Sequence, residues 1–204
     1  MKKICSLFMI LGALAFTSCD SATRLAKDIL GTWAGTPEKL QDPAAASSTI
    51  IETYIFTSGA DNPDEKSGNI TITGNVSTTI PMTSRPEAIQ PTSLSAAAST
   101  SVSGTWKAID DDEIILDLDP KSIQVKVDPQ AVVVMNDIIT DTGTPMLDSI
   151  RTQVTEGIRA QIQKNLQMRY LAVRRLDDVK VKGPLLKFEI ADTDYVLTRQ
   201  GSVE

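Results

Sequence analysis

Gly31-Thr32-Trp33 and Gly104-Thr105-Trp106 are one phrase used twice, and they contain both tryptophans of the chain. Each opens a run rich in β-branched and aromatic residues, the types that suit a pleated, half-buried surface. Trp33 starts the folded part, and Trp106 lies near its middle, where one strand turns into the next. The two phrases read as anchors of one curved antiparallel sheet.

Working outward, Thr49 to Thr57 (TIIETYIFT) reads as a strand with Ile50, Glu52, Tyr54 and Phe56 on one face. Asn69 to Ile80 alternates most regularly: Ile70, Ile72, Gly74, Val76 and Ile80 face one way, and hydroxyl and amide side chains the other. That pattern predicts an antiparallel strand with one wet side. Irregular loops are expected over Pro37 to Ser48 and Pro81 to Pro91. Thr92 to Ala108 is a long strand of small residues. Such a strand leaves its core underfilled and hints at an internal cavity, lined by Ile70, Ile72, Val76, Leu94, Ala96 and Val102. An exposed edge strand would read the same way. Glu113 to Asp119 and Ser122 to Asp128 are expected to form a hairpin about Pro120-Lys121, with a further apolar run at Ala131 to Met135.

The period then changes. Thr144-Pro145 is a helix-start signature. Ile150, Val154, Ile158, Ile162, Leu166 and Val173 recur at helical spacing, predicting a helix over about 145–176 with Arg174 and Arg175 in its last turn. Strands follow at Val179 to Val181, Leu185 to Ile190 and Tyr195 to Arg199. The expected class is mostly β (α+β), a curved antiparallel sheet or barrel of about eight strands with one long helix packed on it.

At the N-terminus, Lys2-Lys3, the apolar run Ile4 to Phe16 and the small residues Thr17-Ser18 form an export signal, too short to span a bilayer of ~20 helical residues. Residues 1–18 are read as signal peptide, 19–28 as a tether and 29–204 as one domain. Histidine is absent, which excludes Ser-His-Asp and Cys-His catalysis and the usual Cys/His zinc sites. No nucleophile–base pair, metal site or cofactor motif is expected. The net charge of -6 becomes -8 when Lys2 and Lys3 leave with the signal, a poor balance for nucleic acid or anionic surfaces. Asp110 to Glu113 reads as a solvated turn, because a calcium loop needs oxygens at fixed offsets and a turn glycine. Arg169, Arg174, Arg175, Lys180 and Lys182 form a basic patch, read either as helix-end neutralisation or as a grip for a carboxylate or headgroup.

Phe16-Thr17-Ser18-Cys19 resembles the lipobox of bacterial lipoproteins. Together with the two Gly-Thr-Trp phrases, the Glu113–Asp128 stretch and the ending Leu186-x-Phe188-x-Ile190…Tyr195-x-Leu197-x-Arg199, the chain resembles the lipocalin-like lipoproteins of Gram-negative bacteria. The resemblance implies a diacylated Cys19 as first mature residue and a late arginine, Arg199, packed near Trp33. It also implies a lipid-anchored envelope location, at the outer membrane, cell surface or periplasmic face, and a small apolar ligand such as a lipid. The long helix departs from that family, where the helix follows the eighth strand. A curved sheet on a long helix also resembles the tubular lipid-binding proteins of the bactericidal/permeability-increasing type. A filled, non-catalytic module docking another envelope protein is the alternative function.

Overall fold

The computed structural model describes residues 21–40, 47–59, 66–82, 92–136 and 148–201. The signal segment and Cys19, the helix start expected at Thr144-Pro145 and residues 83–91 of the expected loop lie outside the described residues, as does the side chain of Ile150.

Eleven strands and two α-helices make up the described fold: α1 (21–28), β1 (Gly31–Ala34), β2 (Glu38–Leu40), β3 (Ser47–Ser58), β4 (Ser67–Met82), β5 (Thr92–Ala108), β6 (Ile114–Leu118), β7 (Gln124–Val127), β8 (Val133–Asn136), α2 (Asp148–Ala172), β9 (Arg175–Lys182), β10 (Leu185–Ile190) and β11 (Thr193–Arg199). The sheet runs β1-β11-β10-β9-β6-β5-β4-β3, and β3 pairs back to β1. Eight antiparallel strands therefore close a lipocalin-like barrel, rather than an open sheet wrapped on a helix. Closure removes the free edges that would otherwise template aggregation.

The strands differ in length, and this shapes the molecule. β4 and β5 have 16 and 17 residues, against 5 in β6 and 4 in β1. Closure uses only one end of the long strands: β1 pairs with Thr53–Phe56 of β3, and β6 with Gly104–Ala108 of β5. The remainder of β3, β4 and β5 runs on past the barrel. Along that overhang β2 continues the line of β1, while β7 and β8 continue the line of β6, pairing with β5 at Ala98–Ser101 and Thr92–Ser95. The predicted hairpin at Pro120-Lys121 is thus corrected. β6 and β7 do not pair with each other; a 3-10 turn at Pro120–Ser122, capped by Asp119, carries the chain straight on along β5. The edge-strand reading of β5 is corrected too, since both of its sides are paired.

Helix α2 lies against β7 and the 3-10 turns that flank it, over the inner face of the overhang. Ile158, Ile162, Leu166, Tyr170 and Val173 are buried in the same hydrophobic cluster as the barrel interior. The helix ends at Ala172, earlier than expected. Arg174 leaves it, its carbonyl accepting from Leu116 N–H, and Arg175 and Leu176 begin β9. In β9 the inward residues are Leu176 and Val179, an odd spacing for a strand. A register shift against β10 and the positive φ of Asp178 (50°) explain it: an inserted residue flips the alternation.

The two Gly-Thr-Trp phrases do different jobs. Gly31 adopts φ 126°, a conformation open to glycine, directly below Arg199. Gly104 lies so near β6 that a Cβ there would come within 2.2 Å of the Asp117 carbonyl oxygen. Both indoles are fully enclosed and donate to a backbone carbonyl, Trp33 to Ile29 (2.7 Å) and Trp106 to Thr57 (3.0 Å). Residues 21–28, at the end of the stretch read as a tether, are helical and bury Leu25 and Ala26 in the barrel's hydrophobic cluster. The last carbonyls of that helix lack intrahelical donors. Arg199 takes that of Asp28 (2.8 Å) and, just past the helix, the Leu30 carbonyl (2.9 Å), Trp33 takes the Ile29 carbonyl, and the Arg199 guanidinium stacks 4.1 Å from the Trp33 ring.

Candidate functional site

The barrel proper is lined by apolar side chains, whereas the seat of α2 mixes apolar and polar ones. Ser48, Glu52, Thr78 and Thr100 are buried on the overhang, and Thr155 and Asn165 on the helix. These six are the fully buried polar residues among the described ones. The register explains their neighbourhood: Glu52 of β3 lies opposite Gly74 of β4, which lies opposite Thr100 of β5. A glycine at the centre of that rung leaves room for the side chains of Ile50 and Thr100, beside what comes down from α2 onto Glu52.

What comes down is Arg169 with Tyr170. The guanidinium Nε and one terminal nitrogen donate to the two Glu52 oxygens at 3.2 and 2.8 Å, a bidentate pair, and the same terminal nitrogen reaches Glu38 of β2 at 2.7 Å. Tyr170 Oη donates to Glu52 Oε1 (2.8 Å) and Tyr54 Oη to Glu52 Oε2 (3.1 Å). A carboxylate has about four lone-pair sites. All four on Glu52 are occupied, which leaves none to bind a metal or take up a substrate proton. Glu52 is a keystone for positioning, with a side chain 2% exposed.

The electrostatics follow from that enclosure. Burial lowers the Arg169 pKa, but the Glu52 charge and the hydrogen bonds to Glu52 and Glu38 outweigh it and hold the guanidinium above its ordinary range. Tyr54 and Tyr170 are both pushed well above the usual phenol value, first by burial and then by the Glu52 charge, with Arg169 opposing. Tyr195 shifts the same way, chiefly by burial. Beneath the cluster, rings run in contact through the barrel: Trp106 to Phe56 (6.0 Å), Phe56 to Tyr54 (6.5 Å), Tyr54 to Phe188 (5.8 Å) and Phe188 to Tyr195 (5.3 Å).

The residues singled out from sequence fall on two levels. Ile70, Ile72 and Val102 face inward at the closed barrel, with Ile72 opposite Val102. Val76, Leu94 and Ala96 face inward on the overhang. All six are buried in the cluster that also holds Ile158, Ile162 and Leu166 of α2. The basic patch is not assembled as expected. Arg169 is drawn inward, Arg175 pairs with Glu113 (2.7 Å) and Asp177, and Lys180 approaches Asp178 at 3.8 Å. Asp110 to Asp112 form an exposed turn between β5 and β6.

Sequence reading passed over the Glu52–Arg169 pair. Its signal was present: Glu52 is a carboxylate in the middle of an apolar face, and Arg169 and Tyr170 extend the helix stripe beyond Leu166 by three and four residues. A charge on an inward face demands a partner. The sequence matches no protein-family model, and no curated protein shows significant similarity to it.

Proposed function

We propose that this is a non-catalytic, lipid-anchored protein of the cell envelope, of the lipocalin-like lipoprotein type. It takes a small, mainly apolar ligand between α2 and the inner face of β3–β5. The observation that carries the reading is the make-up of that seat. The floor is built from small side chains, Gly74, Ala96, Ala98 and Thr100, and the fully buried polar residues among the described ones collect there. A lid tied by the ion pairs of Arg169 with Glu52 and Glu38 and by the Tyr170 hydroxyl exchanges these contacts for water on opening, which costs less than exposing a wholly apolar interface. Thr155 Oγ1, buried on the lid, has no hydrogen-bond partner among the described residues and suits the polar end of an amphiphile.

A second reading is favoured by a different observation. Ile158, Ile162 and Leu166 already occupy the seat, while Met168 and Leu171 are about half exposed on the outer side of the same helix. A filled barrel could dock an envelope partner through that face.

Native mass spectrometry of protein extracted from its own membrane separates the two. The first reading expects a co-purifying apolar molecule that is lost from Ala98→Trp, which fills the floor. A clean apo spectrum, unresponsive to fatty acids, sterols and isoprenoids, transfers the function to docking. The anchor has its own test. Intact mass should start at Cys19 with added acyl chains, and Cys19→Ala should leave a soluble or uncleaved precursor.

A further inference from the structure

We infer that the α1 end of the barrel carries a receptor site for a zwitterionic phospholipid headgroup with a primary amine, phosphoethanolamine, in the membrane that holds the anchor. The inference rests on the lipid-anchor reading of Cys19. Opposite the α2 end, a cleft of about 380 Å³ opens between α1 and β9. Arg24, Lys180 and Lys182 line it together with Asp28 and Asp111.

Three features make it more than a surface groove. First, its walls are held. The end of α1 is tied down by Arg199 and Trp33, and the β5–β6 turn is bound to β9 by Val179 N–H donating to the Asp112 carbonyl (2.9 Å). Second, its charges are unspent apart from Lys180, which approaches Asp178 at 3.8 Å. Among the described residues Arg24, Lys182, Asp28 and Asp111 enter no ion pair, although cations and carboxylates line the same cleft. Opposite charges held apart across a cleft suit a ligand that carries both. A phosphate meets Arg24, Lys180 and Lys182, and a primary ammonium donates to Asp28 and Asp111. A choline headgroup has no N–H to donate, and a glycerol headgroup offers the carboxylates no cation. Third, its position is set. Ser21 lines the cleft two residues after Cys19, a span of at most ~7 Å. An acylated Cys19 therefore holds the cleft at the bilayer surface, and tethering lets an intrinsic affinity in the mM range suffice. The same geometry turns the α2 end away from the membrane.

The test uses the mature, lipidated full chain in nanodiscs of phosphatidylcholine alone, or mixed equally with phosphatidylethanolamine or phosphatidylglycerol. The readout is amide exchange over residues 21–28 and 179–182. Ethanolamine lipid at twice its Kd should slow exchange about three-fold relative to choline lipid, with α2 unchanged. Arg24→Glu with Lys182→Glu should abolish the slowing, and Asp28→Asn with Asp111→Asn should remove the preference for ethanolamine over choline. Equal exchange in ethanolamine and choline lipid overturns the inference, as does an equal or larger effect of phosphatidylglycerol. A mass without acyl chains overturns the anchor itself, and this site with it. An acylated chain with indifferent exchange overturns this site alone.

Discussion

Replacing Arg169 with methionine keeps most of the side-chain volume and removes the cation that faces Glu52. The Glu52 side chain is 2% exposed and that of Arg169 20%, so the variant strands a desolvated carboxylate with only the two tyrosine hydroxyls for company. Breaking a buried pair from one side costs ~3–5 kcal/mol. At ~2–4 °C per kcal/mol for a domain of this size, the melting temperature should fall by ~6–20 °C. The cost belongs to the orphaned charge and not to a missing contact, so Arg169→Met combined with Glu52→Gln should recover at least half of it. Glu38→Gln neutralises a side chain that is 27% exposed, and it should cost less than ~1 kcal/mol. Urea unfolding followed by tryptophan fluorescence supplies the cycle, with an expected Arg169–Glu52 coupling of ~1.5 kcal/mol or more. Amide exchange over Asp148–Ala172 should accelerate in Arg169→Met beyond the global loss, because the latch is what seats α2. A single variant within ~1 kcal/mol of wild type, or two variants that simply add, would refute the assignment of Glu52 as keystone.

Four further outcomes follow from the same geometry. Ile158→Asp, at a site 5% exposed, should lose several kcal/mol, ~3 or more; a variant that melts like wild type would mean that α2 is not seated on its own sheet. Gly104→Ala should cost ~1–3 kcal/mol, since its Cβ would lie 2.7 Å from Leu118 Cα and backbone cannot yield. Gly157→Ala, with nothing within 4 Å, should instead stabilise by ~0.5–1 kcal/mol in the same urea series. Tyr54 and Tyr170 keep their protons in the folded state above the ordinary 10.0, whereas the unfolded chain releases them near that pH. Stability is therefore full below pH ~10 and falls above it, by ~1.4 kcal/mol per pH unit for each tyrosine; tyrosinate absorbance should appear only with unfolding, and a smooth rise near pH 10 in the folded protein would contradict their enclosure.

Much of the architecture was legible in the chain because it is written in periods. The alternation of Asn69 to Ile80 set which side of β4 faces in, and the 3.6-residue stripe from Val154 to Leu166 set which side of α2 is buried. Both are local patterns that any neighbour would have to respect. Tertiary structure alone decided how those faces meet. The small residues of β5 predicted missing bulk, and only tertiary packing brought Ile158, Ile162 and Leu166 of α2 into the same cluster with them. Pro120-Lys121 looked like a hairpin turn, yet pairing with the length of β5 pulled β6 and β7 into line. The inserted residue at Asp178 hid half of β9 by breaking its alternation. Glu52 and Arg169 carry no joint signal along the chain, since 117 positions separate them. Burial and charge pairing act through space, and a sequence records them only as a demand for some partner, not as its address.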